Sequence, residues 1–252
     1  MKQATFRFYA ELNDFLPAQR RMLPFSCRFE LGGSVKNMIE AIGAPHTEID
    51  LILVNGDPVD FNYLVRDGDR ISVYPVFESF DITPLLRLRP QPLRETRFVL
   101  DVHLGRLAAS LRMLGFDTLY RNDLTDAQLA RISSGERRIL LTRDRGVLKR
   151  SLVTHGYLVR QTSPRRQIEE VLQRFDLAGS VRPFTRCMNC NSPLAEASPE
   201  DVALRVPAEA RRRYQEFRMC PACRKVFWKG GHYRRMQQFI RSLGPLAQGN
   251  FL

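Results

Sequence analysis

Apolar and polar residues alternate through ATFRFYAEL (residues 4–12), the period-two pattern of a strand with one buried face. CRFEL (residues 27–31) repeats the pattern at strand length. After Gly32-Gly33-Ser34 the period lengthens. Val35, Met38, Ile39 and Ile42 share one helical face, with Ser34 as N-cap and Gly43 as the stop. DLILVNG then gives a strand ending in the hairpin signal Asn55-Gly56, and RDGDRISVYPVF a turn at Asp67-Gly68 before a last strand. Strand, strand, helix, strand, strand predicts a β-grasp unit over residues 1–80.

DITPLLRLRPQPLRET (81–96) holds three prolines and no clear period, so it reads as a linker. From Arg97 onward, strands and helices alternate. RFVLD is a strand. LGRLAASLRMLG is a helix with Leu104, Leu107, Ala108, Leu111 and Leu114 on one stripe. DTLYR, RRILLT and GYLVRQ are strands, DAQLARIS a helix, and PRRQIEEVLQRF a helix with Pro164 in its first turn. This alternation over 97–182 calls for a mainly parallel sheet covered by helices, an α/β domain. Residues 183–240 form a small metal-bearing unit, and 241–252 a tail.

Charge changes this picture. Residues 1–93 hold 10 Lys/Arg against 12 Asp/Glu, residues 94–182 hold 17 against 10, and residues 183–252 hold 12 against 5. The net +12 therefore belongs to the last two thirds, and a polyanion such as RNA is its natural partner. An arginine-rich solubilising surface is the competing explanation. No apolar run is long enough for a membrane span, and the N-terminus lacks the apolar stretch of a secretory signal. A cytoplasmic protein is expected. Four of the five cysteines fall into two C-x-x-C pairs, which in a reducing compartment suggests metal rather than disulfides. Cys27 reads as a strand residue facing a core.

Candidate chemistry lies at two places. In open α/β sheets, ligands sit beyond the carboxyl ends of the strands. Asp101 follows Phe98-Val99-Leu100, Asp144 follows Ile139-Leu140-Leu141-Thr142, and Asp126 opens a helix behind the capping-box pair Thr125 and Gln128. Such acids suit a hard cation, Mg²⁺ or Mn²⁺, that activates water for attack on a phosphodiester, with Arg112, Arg143 and Arg145 gripping the backbone. Asp126 also suits a helix dipole, and Asp144 also suits the cap of the helix GVLKRSL. Asp101 is harder to explain without a partner or metal, because an uncompensated buried carboxylate costs several kcal/mol.

Cys187, Cys190, Cys220 and Cys223 form two knuckles 29 residues apart, which together give tetrahedral zinc with no open position, hence a structural ribbon. A redox dithiol or an iron centre is the alternative. The intervening PAEARRRYQEF reads as one inserted helix. Beyond the second pair, Lys229, Arg234 and Arg235 interleave with Phe227, Trp228 and Tyr233, a mix suited to unpaired bases and phosphates. Phe227 or Trp228 is expected in the ribbon core, and His232 is expected to contact RNA or cap the next helix.

LDVHLGRLAASLRMLGFDT and RRILLTRDRGVL resemble the PIN-like ribonuclease domain of the Mut-seven C-terminal family. The resemblance runs through the cysteine pairs to about residue 236. VNGDPV and LVRDGDRISVYP are similar to the ubiquitin-like sulfur carriers, and many members of the ribonuclease family begin with such a domain. The resemblance implies a PIN-like nuclease over 97–182, a hydrolase of RNA with Asp101 and Asp144 as metal-binding acids and Asp126 as the matching acid of the intervening helix. Many PIN-like domains place a further acid just after the position of Asp144. Here Arg145, Gly146 and Val147 follow, so the set has three acids or borrows Asp123 or Asp117. No Gly-Gly ends the ubiquitin-like part, where Phe77, Glu78 and Ser79 run on, so carrier chemistry is expected to be absent. The module would then dock RNA or a protein. A non-catalytic RNA-binding adaptor is the alternative to the ribonuclease.

Overall fold

A computed structural model describes residues 1–75 and 96–247. The expected linker 81–96 lies outside the described residues except for Thr96, as do Phe77, Glu78 and Ser79. The chain divides into two compact units, Met1–Glu95 with Thr125–Leu158, and Thr96–Leu124 with Val159–Leu252. The segment read as one α/β domain thus contributes to both.

In the first unit, β1 (Lys2–Phe8) buries Ala4, Phe6 and Phe8 on one face, as its alternation requires. It pairs antiparallel with β2 (Phe25–Phe29) and parallel with the later β5 (Arg70–Pro75). Helix α1 (Val35–Ile42) begins where the Ser34 hydroxyl accepts from the Asn37 amide. It ends at Gly43, whose φ of +137° suits glycine and where a Cβ would meet the Phe15 carbonyl at 2.8 Å. Strand β3 (Ile49–Val54) turns through Asn55 and Gly56, both at positive φ, into the short β4 (Asp57–Pro58). The sheet order β2-β1-β5-β3-β4 is that of a β-grasp. Two 3-10 turns, Ala10–Phe15 and Ala18–Arg20, add the buried Leu12, Phe15 and Leu16 between β1 and β2. The sequence pattern gave no sign of them, because a 3-10 turn has no sustained period.

The same unit contains α3 (Asp126–Gly135), β8 (Ile139–Thr142), α4 (Arg145–Leu148) and β9 (Gly156–Leu158). The capping box of Thr125 and Gln128 is formed, and all four residues of β8 are buried. Strands β8 and β9 run parallel, Leu140 opposite Gly156. The β-grasp part packs on this segment through polar contacts. His46 bridges the Glu40 carboxylate at 2.6 Å and the Val153 carbonyl at 2.8 Å, Lys149 donates to the Glu40 carbonyl at 2.6 Å, and the buried Glu48 accepts from the Leu158 amide.

In the second unit, β6 (Arg97–Leu100) and β7 (Asp117–Tyr120) are parallel, with Arg97 opposite Asp117 and Leu100 opposite Tyr120. Helix α2 (Gly105–Met113) buries Leu107, Ala108 and Leu111. A Cβ on Gly115, at φ +97°, would lie 2.1 Å from the Arg182 carbonyl, because residues 182–184 strap the helix end through Arg182 N–Leu114 O and Phe184 N–Met113 O bonds of 2.9 Å. Helix α5 (Pro164–Arg174) starts with Ser163 as cap and Pro164 in the first turn. The strand read as GYLVRQ stops at Leu158, since the Arg160 and Gln161 amides turn instead to the Glu170 carboxylate at 2.8 and 3.0 Å.

Strands β10 (Ala195–Glu196), β11 (Phe217–Met219) and β12 (Val226–Trp228) form the antiparallel ribbon. A helix that the sequence pattern did not show, α6 (Pro199–Arg205), precedes the one read in PAEARRRYQEF, which forms as α7 (Ala208–Arg213). Pro207 separates them: it lacks an N–H and holds Val206 extended at φ −106°, ψ 130°. Helix α8 (Gly231–Ser242) and a 3-10 turn (Gly244–Ala247) occupy the start of the expected tail, and buried Leu243 and Ala247 explain why it is folded. Residues 248–252 lie outside the described part. No helix among the described residues is long and apolar enough to cross a membrane.

Candidate functional site: a cysteine centre and the strand-end acids

Each C-x-x-C is folded the same way. In the first knuckle the Cys187 amide donates to the Ser192 carbonyl at 2.8 Å and the Cys187 carbonyl accepts from the Asn191 amide at 2.9 Å. In the second, Cys220 makes the equivalent bonds with Lys225 and Arg224, both at 2.9 Å. Asn191 and Arg224, four residues after the first cysteine of each pair, are both left-handed, at φ +71° and +60°. The turns bring the four sulfurs within 4.8 Å of one another, with Cys187–Cys223 at 3.6 Å and Cys190–Cys220 at 3.3 Å. A tetrahedron of thiolates around zinc has edges of about 3.8 Å, so the donor set fits that ion. Burial pushes the Cys187 thiol up to about 12. At Cys220 burial also raises the pKa, but the Cys223 amide and the neighbouring thiols outweigh it and bring it down to about 6.

The first knuckle is tied to the α2–β7 part of its unit. Arg112, only 5% exposed, donates to the carbonyls of Thr118 at 2.9 Å, Met188 at 3.2 Å and Asn189 at 2.9 Å. Burial lowers its pKa, opposed by Cys190, Cys187 and Asp117. The Asn191 side chain accepts from the Thr118 amide at 2.9 Å and donates to Asp117 at 2.7 Å. Arg112 is therefore corrected from a phosphate contact to a brace of the knuckle. Its donors are spent on backbone carbonyls that would otherwise be stranded.

The acids sit at strand exits. Asp101 follows β6, is only 6% exposed, and its Oδ1 accepts from the Val102 amide. Tyr120, opposite Leu100, donates to the Val102 carbonyl at 3.0 Å and packs where a Cβ on Gly105 would be, 2.7 Å from its hydroxyl. Glycine at the head of α2 makes room for the tyrosine that fixes the Asp101 loop. Asp144 follows β8 with its amide on the Thr142 hydroxyl at 2.9 Å and its Oδ1 on the Gly146 amide at 2.7 Å. Asp126, exposed at the start of α3, lies 3.8 Å from Arg150.

Asp101 belongs to the second compact unit, Asp126 and Asp144 to the first. Among the described residues the cysteine quartet is the group of three or more His, Cys, Asp or Glu placed to hold one ion; no carboxylate trio qualifies. Neither suggested substitute for the fourth acid is well placed. Asp117 is level with Arg97, at the opposite end of the β6–β7 pair from Asp101, roughly 13 Å along the strands. It is also held by Asn191 and by Arg186 at 3.6 Å. Asp123 is on the correct side but is gripped in solvent by Arg121 at 3.0 and 2.6 Å, which lowers its pKa.

Residues 96–240, more than half of the chain, match the Mut7-C RNAse domain, and residues 1–81 match the Mut7-C ubiquitin. The chain belongs to the Mut7-C RNAse domain family. No curated protein and no solved structure matches it. Membership makes this a ribonuclease-type domain preceded by a ubiquitin-like one, as the motifs implied.

Of the basic residues expected to touch RNA, Arg143 and Arg145 belong to the first unit and Lys229, Arg234 and Arg235 to the second. Arg143, Arg145, Lys229, Arg234 and Arg235 are exposed. Arg145 leans over the Phe15 ring at 5.1 Å and reaches the Asp14 carbonyl at 3.5 Å. Lys229 is paired with Glu216 at 2.6 Å. Arg235 donates to His232 at 3.1 Å, and the cap position before α8 is Gly230 rather than His232. Phe227 and Trp228 are both half-buried, Trp228 lying 6.4 Å from Phe217 across the hairpin. Cys27 is half-buried in β2, and burial raises its pKa.

Proposed function

We propose that this Mut7-C domain hydrolyses RNA phosphodiester bonds with a hard divalent ion, Mg²⁺ or Mn²⁺, held at a strand-end carboxylate such as Asp101 or Asp144, and that the cysteine quartet holds structural zinc. The observation that carries the reading is Asp101: a carboxylate only 6% exposed at the exit of β6, inside the segment that matches a ribonuclease domain. Mg²⁺ commonly keeps several waters and takes only one or two carboxylates, with substrate phosphate filling the shell, so a closed protein cage is not required. When bound, such an ion supplies an activated water and charge neutralisation on the leaving oxygen. Asp144 is oriented by Thr142 and Gly146, and Arg143 lies exposed next to it to meet a phosphate.

The test is cleavage of labelled RNA by the full chain with added Mg²⁺ or Mn²⁺. Wild type should cleave, and the Asp101→Asn, Asp144→Asn double variant should lose at least about a hundredfold in rate, a loss of transition-state stabilisation of about 2.7 kcal/mol or more. Equal rates in the two proteins would remove the proposal.

A second reading, a non-catalytic RNA-binding adaptor, is favoured by the slot after Asp144. Gly146 there donates its amide to the Asp144 carboxylate, and a Cβ on it would crowd Oδ1 at 3.1 Å. Salt-sensitive RNA binding without divalent-dependent cleavage would select this second reading.

A further inference from the structure

The ribbon contains a basic surface that neither the strand-end acids nor the zinc centre uses. Arg211, Arg212 and Arg213 end α7, and all three are exposed. Among the described residues, no carboxylate pairs with any of them. Three other ribbon cations are paired with carboxylates: Arg205 and Arg224 share Asp201, and Lys229 takes Glu216. One cation in the last turn is enough to answer the helix dipole, an effect of a few tenths of a kcal/mol, so three exceed that need. Adjacent helical positions are about 100° apart, so the three side chains fan over about 200° of the helix end. A flexible strand can bend to meet all three; a rigid duplex face would meet fewer.

Next to this run the chain carries aromatic surface. The Arg213 guanidinium lies over the Tyr214 ring at 5.8 Å. Tyr214 and Trp228 flank Gly230: a Cβ there would meet the Trp228 indole at 3.0 Å and the Tyr214 hydroxyl at 3.8 Å. Helix α8 begins at the next residue, with Arg234 and Arg235 exposed in its first turns. The arginine run, two half-buried aromatic rings and the head of α8 are therefore neighbours.

We propose that the α7 arginine run is a docking surface for the sugar-phosphate backbone of single-stranded RNA, continuing past Tyr214 and Trp228 toward α8. This rests on the RNA reading above and adds the residues that hold the strand away from the strand-end acids. Charge complementarity selects the partner, because three exposed guanidinium groups together match successive phosphates better than any apolar or cationic ligand.

Binding of a labelled single-stranded RNA oligonucleotide to the full chain, without added Mg²⁺ or Mn²⁺, tests it across a salt series. Each phosphate neutralised on a single strand contributes about 0.7 to the slope of log affinity against log salt. The triple variant Arg211→Gln, Arg212→Gln, Arg213→Gln should flatten that slope by about 2 and weaken binding about a hundredfold at 0.1 M salt. Arg212→Gln alone should flatten it by about 0.7 and serves if the triple variant fails to fold. A control of equal charge loss, Lys2→Gln, Arg28→Gln, Arg70→Gln in the ubiquitin-like part, should leave the slope unchanged. If wild type binds but the triple or the single variant keeps its slope, or the control flattens it equally, the surface is overturned while the RNA reading stands. If wild type binds no RNA at all, that reading falls and takes this one with it.

Discussion

The two cysteine knuckles have the same backbone and different surroundings. Both close with the same pair of hydrogen bonds and a left-handed residue four places after the first cysteine. The first is wired into the α2–β7 layer by Arg112, Asn191 and Arg186. The second stands on the β11–β12 hairpin, and its left-handed residue Arg224 pairs with Asp201 of the inserted helix α6. The difference teaches that one ion held by the four cysteines would serve two tasks. Through the first knuckle it would fix the ribbon to the α2–β7 layer, and through the second the insertion that carries the arginine run.

The largest test of that contrast is removal of the metal. Structural zinc contributes on the order of 10 kcal/mol to the fold it closes, so Cys220→Ser should abolish tight zinc retention in a chelator competition. Hydrogen exchange on that variant should leave the Thr118 and Asn191 amides better protected than those of Cys220 and Arg224. Equal loss at both knuckles would erase the distinction.

Arg112→Met comes next. It strands several buried carbonyls, and unfolding by denaturant should show a loss of about 3–5 kcal/mol. Arg112→Lys should recover little, since one ammonium cannot reproduce a planar fork aimed at carbonyls on two sides. Asn191→Gly keeps the backbone conformation and deletes only the amide contacts, for a loss of about 1–3 kcal/mol. Asn191→Ala should cost about 1 kcal/mol more through its left-handed φ. The smallest effect is expected at the matching position of the other knuckle. Arg224→Gly relieves the same kind of strain while losing an exposed ion pair, so stability should stay within about 1 kcal/mol of wild type.

Local features were legible because neighbouring residues decide them. Ser34 as a cap, the Asn55-Gly56 turn, the Thr125–Gln128 capping box and Pro164 in a first turn all appear where their chemistry requires. The break at Pro207 was also written in the chain, although the arginine-rich stretch after it reads as a continuous helix. The fate of Arg112 was not legible. Its partners Met188 and Asn189 lie 76 and 77 residues away, and an arginine on an amphipathic helix gives no sign that it will be buried. Asp117 offered the same acidic chemistry as Asp101, and only the parallel register of β6 with β7 assigns it to the other edge.

The amino-acid sequence by itself determined most of the strands and longer helices, the β-grasp and ribonuclease-type segments, and a cysteine spacing that can close on one ion, since each depends on periodicity or on residues a few positions apart. Tertiary structure decided which arginine braces and which remain exposed, and which aspartates share an edge. Those outcomes depend on burial and on pairing between distant segments, where the cost of an unsatisfied polar group selects partners that no local pattern can specify.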